Sequence, residues 1–116
     1  EISYGLAAAN KDDSYYFFYD KPFQPANQSF TNINQIVAGP AARHPVLWKY
    51  WYDLRIPPLL KKHKAEVFFS PDGICSLHTK LPQVLAIHDL AFLHYPQYMP
   101  KTQQWFYQHY TPAFIR

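Results

Sequence analysis

His88 and Asp89 stand where the apolar run Val84 to Ile87 stops, and Asp72 and Gly73 stand where the run Val67 to Phe69 stops. A neutral imidazole donates one hydrogen bond and accepts another, so it can orient a hydroxyl; a carboxylate only accepts. An imidazole and a carboxylate closing a buried run have three readings: a helix cap, a metal-ligand pair or the edge of a binding site. The histidines at 44, 63, 78, 88, 94 and 109 show no close metal-ligand spacing with cysteine or carboxylate. The lone Cys75 excludes an internal disulfide, fits a reducing compartment and has no partner that would make it a nucleophile.

The surrounding elements decide between a cap and a site. Ile2, Leu6 and Ala9 fall on one face of a helix, with a stop over Asn10 to Asp13. Tyr15 to Tyr19, "YYFFY", is a continuous aromatic run of the kind a strand covered on both faces carries. The prolines of "DKPFQP" (Asp20 to Pro25) make it a loop, and Ile33 to Ala38 reads as a second strand ended by Gly39 and Pro40. From Pro45, Leu47, Trp48, Trp51, Leu54 and Leu59 recur at helix spacing and form core. Pro57 and Pro58 each lack a backbone donor, so they must kink or restart that helix. "KKHK" (Lys61 to Lys64) reads as its solvated end, where cations favour the negative end of the helix dipole. Glu66 to Ser70 and Pro82 to Asp89 are short buried strands, and helix returns from Pro100.

Strands of this kind separated by helices predict an α/β fold with a mostly parallel sheet. Ligands bind beyond the carboxyl ends of the strands in such sheets. That rule places Asp72, Gly73, His88 and Asp89 on the ligand edge, and makes the opening pair a site edge rather than a cap.

The 116 residues fit one compact domain, and 48% hydrophobic with 19% aromatic residues exclude a disordered tail. No run approaches the ~20 apolar residues a membrane-crossing helix needs, and no signal-peptide pattern of basic start and apolar centre is read in these residues. Net charge is +3, but the cations are scattered without the basic stripe of a nucleic-acid reader, so nucleic acid is not an expected partner.

Each candidate also has a plainer reading. Asp89 can cap the turn before Leu90, and "SPDG" (Ser70 to Gly73) is a turn signal in its own right. His88 can be a satisfied histidine at a strand end. Arg43 and His44, before a helix starting at Pro45, can meet an anion or simply lie on the surface. Trp48, Trp51 and Tyr52 are read as core rather than a sugar-stacking platform. His94 and Tyr95 are read on a loop leaving the His-Asp turn, where they either border the acceptor pocket or are ordinary loop residues.

In order along the chain, "FFYDKPF", "VAGPAARHPVLWKYWYD", "IPPLLKKHKAEVFFSPDG" and "LPQVLAIHDLAFLHYPQYMP", followed by an aromatic helix, resemble the N-terminal domain of glycosyltransferase family 4. These are retaining enzymes of GT-B fold, and the likeness is to bacterial members of the mannosyltransferase type. The resemblance covers nearly the whole chain and implies a Rossmann-like sheet with flanking helices. It also implies that the family's first strand, its glycine-rich loop and its C-terminal domain lie outside this sequence. Both ends then read as cuts within a longer protein. A chain lacking the central first strand is expected to close the gap directly or to self-associate through its exposed sheet edges.

The resemblance implies transfer of a sugar from a nucleotide-sugar donor to a glycan or lipid-linked acceptor in polysaccharide or glycolipid synthesis. The parent enzyme would be cytoplasmic, with peripheral contact to the inner membrane. His88 takes the place of the family's cleft histidine, and Asp72, Gly73 and Asp89 shape the substrate side. No cofactor or metal is expected, because the nucleotide sugar is a substrate. This chain alone is expected to be inactive. The competing reading is a non-catalytic, stand-alone α/β interaction module.

Overall fold

The computed structural model describes residues 2–24 and 30–116. The helix start near Glu1 and the Pro25 end of the Asp20 to Pro25 loop fall outside them. The structure is mixed α/β and divides into two compact units, residues 1–41 and 42–116. The single sheet expected from the alternation is, among the described residues, two ladders of two strands, both parallel.

In the first unit, helix α1 (Ile2–Ala9) precedes strands β1 (Tyr15–Tyr19) and β2 (Ile33–Val37). The aromatic run forms β1 over its whole length, in register with β2 from Tyr15 opposite Ile33 to Tyr19 opposite Val37. Its side chains are half-buried rather than covered on both faces. The expected apolar face of α1 is not the buried one. Ala7 is fully enclosed, while Ile2 and Leu6 are exposed. The helix packs instead through Tyr4, whose ring meets Phe17 edge-on at 5.2 Å and Phe30 at 5.7 Å. Asn32 Nδ2 donates to the carbonyls of Ala7 (2.9 Å) and Asn10 (3.2 Å), satisfying acceptors that a helix end leaves open.

The second unit starts with α2 (Pro45–Tyr50), capped by His44, whose Nδ1 accepts from the Val46 amide at 3.3 Å. The expected proline break is solved in two steps. Trp51–Arg55 widens into a π-helical turn in which Ile56 N–H donates to the Trp51 carbonyl, five residues back. Helix α3 (Ile56–Lys62) then starts with prolines in its first turn, where a missing donor costs no hydrogen bond. The wider turn also rotates the apolar stripe. Trp51, Tyr52, Asp53, Ile56 and Leu60 are buried and Leu54 is exposed, so the expected Leu54 core position is corrected. Lys61 and Lys62 occupy the last turn of α3, as expected of "KKHK".

Strands β3 (Phe68–Ser70) and β4 (Gln83–Leu85) are shorter than expected, with Phe68 opposite Gln83 and Ser70 opposite Leu85. β3 is largely buried, but Val84 and Ile87 are exposed, which corrects the reading of β4 as a buried strand. Four-residue α4 (Ala91–His94) puts His94 in a helix rather than a loop, and a 3₁₀ turn covers Pro96–Tyr98. Helix α5 (Lys101–Phe114) packs on α2 through Trp48, whose indole meets Phe106 edge-on at 5.3 Å. Phe106 and Ile56 are almost wholly enclosed, and burying each such side chain is worth about 1.5–3 kcal/mol.

Asp53 is 5% exposed and holds the stretch between β3 and β4. Its Oδ1 accepts from the Leu77 amide (2.8 Å) and Ser76 Oγ (3.4 Å), while Oδ2 pairs with Lys49 Nζ and lies 3.3 Å from His78 Nδ1. Gln83 clamps the same stretch by exchanging two hydrogen bonds with the Ser76 backbone, at 2.9 and 2.7 Å. The buried carboxylate is thus paired and hydrogen-bonded, as burial requires.

Candidate functional site

The chain leaves β3 through Ser70 to Gly73 and leaves β4 through Ala86 to Asp89, and these two parallel strand ends meet. Ala86 N–H donates to the Ser70 carbonyl at 2.9 Å. Gly73 has φ +72°, a left-handed conformation that glycine adopts without a Cβ penalty, and this turns the chain back after Asp72. The turn is fixed from inside by Ser70, fully buried, whose Oγ donates to the Ile74 carbonyl.

His88 lies three residues beyond the last residue of β4 and its side chain is exposed. Its Nε2 is 2.7 Å from the Pro71 carbonyl oxygen. A carbonyl only accepts, so in the neutral ring Nε2 carries the proton and Nδ1 is left as an acceptor. No hydrogen bond to Nδ1 is formed by the described residues.

Asp72 and Asp89 are both exposed and each is anchored once. Asp72 Oδ2 accepts from the Tyr52 hydroxyl at 3.2 Å, and the same hydroxyl lies 3.2 Å from Ser70 Oγ. Burial raises the Tyr52 hydroxyl far above the ordinary tyrosine range, with the Asp72 charge adding to it, so it stays a neutral donor. Asp89 Oδ1 accepts from the Ala91 amide at 2.9 Å, the turn-capping role weighed for it in the sequence. That single bond leaves its second oxygen for a ligand.

Tyr107 of α5 lies within the electrostatic reach of both carboxylates, and nothing in the sequence singled it out. Its hydroxyl is raised mainly by burial and further by the charges of Asp72 and Asp89, so the three groups share one field. The Phe92 ring of α4 stacks on Tyr107 at 5.6 Å between centroids and fixes its place. Tyr52, read from the sequence only as core, is core and also the support of Asp72. Tyr107 has a recognisable signal in hindsight only as an aromatic hydroxyl next to the buried Phe106.

The resulting edge presents an imidazole acceptor and two carboxylates. It suits a polyhydroxylated ligand, since hydroxyls can donate to all three acceptors. A diphosphate would meet two like charges here. Among the described residues no group of histidine, cysteine and carboxylate side chains is disposed to hold a metal ion.

Other sequence candidates fall elsewhere. His44 uses its Nδ1 as the cap of α2 instead of leaving that helix end open to an anion. Cys75 is buried, its thiol pushed up by burial and by the Asp53 charge, with Sγ 3.9 Å from the Phe114 carbonyl. No helix among the described residues is long and apolar enough to cross a membrane. No protein-family model, curated protein or solved structure matches the chain.

Proposed function

We propose that this chain is part of the acceptor-side, Rossmann-like domain of a retaining glycosyltransferase, which moves a hexosyl unit such as mannose from a nucleotide sugar to a glycan or lipid-linked acceptor. The reading rests on the ordered motifs from "FFYDKPF" to "LPQVLAIHDLAFLHYPQYMP" and on one observation. The Pro71 carbonyl occupies Nε2 of His88 and leaves Nδ1 as an acceptor beside two exposed carboxylates.

In such a transfer, positive charge develops at the sugar's anomeric carbon as the bond to the leaving phosphate lengthens. Nδ1 of His88 accepts a hydrogen bond from a sugar hydroxyl and fixes the ring's orientation. Asp72 and Asp89 accept further hydroxyl hydrogens. Their negative charge favours the cationic transition state over the neutral ground state. The same charge disfavours the diphosphate at this edge, in keeping with the resemblance, which implies that a second domain of the parent enzyme holds the nucleotide. The nucleotide sugar is substrate and the scheme calls for no resident cofactor. The parent acts in the cytoplasm or at the inner face of the membrane, and the chain by itself is inactive.

The test is sugar transfer by the full-length gene product from a panel of nucleotide sugars. His88→Ala should lower turnover about a hundredfold, the scale of losing one positioned hydrogen-bonding group, with an unchanged circular dichroism spectrum. An unchanged rate would remove His88 from the site. Absence of transfer from every nucleotide sugar would favour the non-catalytic interaction module.

A further inference from the structure

A concave site lies in the unit formed by residues 42–116 and shares no residue with the His88 edge. It is an open groove of about 580 Å³ between the start of α2 and the first three turns of α5. Sites for single small molecules span about 300–1,000 Å³. Its apolar wall comes from Trp105, Phe106 and Tyr110, with Trp105 57% exposed.

The polar groups lining it are all able to donate, and among the described residues no carboxylate lines it. Lys49 is neutralised by Asp53 and lies 4.8 Å above the Tyr110 ring, so it forms part of the wall. Lys101 is exposed and forms no ion pair with the described residues. It opens α5, whose first turn carries neither a side-chain cap nor an acidic residue. Thr102 adds a hydroxyl. His44 accepts from Val46 through Nδ1, so its Nε2 is the nitrogen left to donate.

An apolar wall with donors and one unneutralised cation at its rim is complementary to a molecule with an anionic head and an apolar body. We propose that this groove binds a monomeric lipid phosphate, its phosphate on Lys101, Thr102 and His44 and its alkyl chain along Trp105 and Phe106. A sugar would leave the wall's apolar surface poorly matched, and a bare phosphate would leave it wet. A bilayer surface is engaged by a projecting apolar face backed by several cations, whereas this face is concave and has one free cation among the described lining residues.

The probe is dodecyl phosphate below its micelle concentration, titrated calorimetrically into the 116-residue chain at low salt. Saturable one-site binding is expected, weakened at least about tenfold by Lys101→Glu and by Trp105→Ala, with no saturable binding of dodecyl maltoside. Both side chains are exposed, so both variants should keep the wild-type circular dichroism spectrum. Equal binding of the maltoside, a loss below about tenfold in Lys101→Glu, or binding only to phosphatidylglycerol vesicles would each overturn the assignment.

Discussion

His88 Nε2 and the Pro71 carbonyl oxygen lie 2.7 Å apart, and this bond ties the chain leaving β4 to the turn leaving β3. Parallel strands put their carboxyl ends on the same edge, so two turns distant in sequence become neighbours without a dedicated scaffold. The bond also selects which imidazole nitrogen is offered outward. Asp72 is set by Tyr52 from below, and Asp89 by the turn it caps. Each polar group of this edge is therefore oriented by one contact and keeps capacity for another.

Tyr52 links the edge to the core, and its raised hydroxyl makes stability fall in alkali. A group with a raised folded-state pKa stabilises fully below its unfolded value, about 10 for tyrosine, and loses that contribution as pH rises past it. Tyr107 acts in the same direction. Urea unfolding at pH 8 and again above pH ~10 should show the wild-type chain losing stability. Tyr52→Phe should cost about 1 kcal/mol at pH 8 through the lost bond to Asp72, and should decline less steeply in alkali. An equally steep decline would contradict this.

Gly73 sets the turn that presents Asp72. An added Cβ would meet only the Ala86 carbonyl oxygen at 3.9 Å, so the penalty in Gly73→Ala is conformational rather than steric. A loss of about 1–2 kcal/mol is expected in denaturant midpoints, with weaker ligand binding at the His88 edge.

Lys64 has φ +52° directly after α3, where Lys64 N–H donates to the Lys61 carbonyl (3.2 Å) and Ala65 N–H to the Leu60 carbonyl (2.9 Å). This is a Schellman cap occupied by a residue with a Cβ. Lys64→Gly should raise stability by about 1 kcal/mol, read as a higher melting temperature.

Asp53 should be the most sensitive polar position. Asp53→Ala strands the Leu77 amide and the Lys49 ammonium and should cost about 3–5 kcal/mol, with faster hydrogen exchange at Leu77. His78→Ala removes only an exposed partner of the same carboxylate and should cost under about 1 kcal/mol.

Much of the local structure is legible in the residues themselves. "YYFFY" has few alternatives to a strand, Pro45 sits in the first helical turn where its missing donor is harmless, and the lysines of "KKHK" close α3. The π turn at Trp51–Arg55 is not legible, because one extra residue per turn leaves no mark on composition but moves Leu54 outward and Asp53 inward. The exposure of Val84 is hidden for a related reason: an apolar residue in a two-stranded ladder has no neighbouring strands to guarantee cover. The placement of Asp72, Gly73, His88 and Asp89 beyond the ends of β3 and β4 is legible from strand ends and turn signals alone. Tyr107 is not, since the influence of Asp72 and Asp89 on its hydroxyl depends on the tertiary packing of α5.

The most direct measurement is the ¹⁵N spectrum of the His88 imidazole at neutral pH, recorded in the full-length gene product with and without its donor nucleotide sugar. The account predicts the Nε2–H tautomer in the free protein and a shift confined to the bare Nδ1 resonance as the donor saturates. A ring protonated on Nδ1, or an Nδ1 signal unmoved while the nucleotide sugar binds, would contradict it.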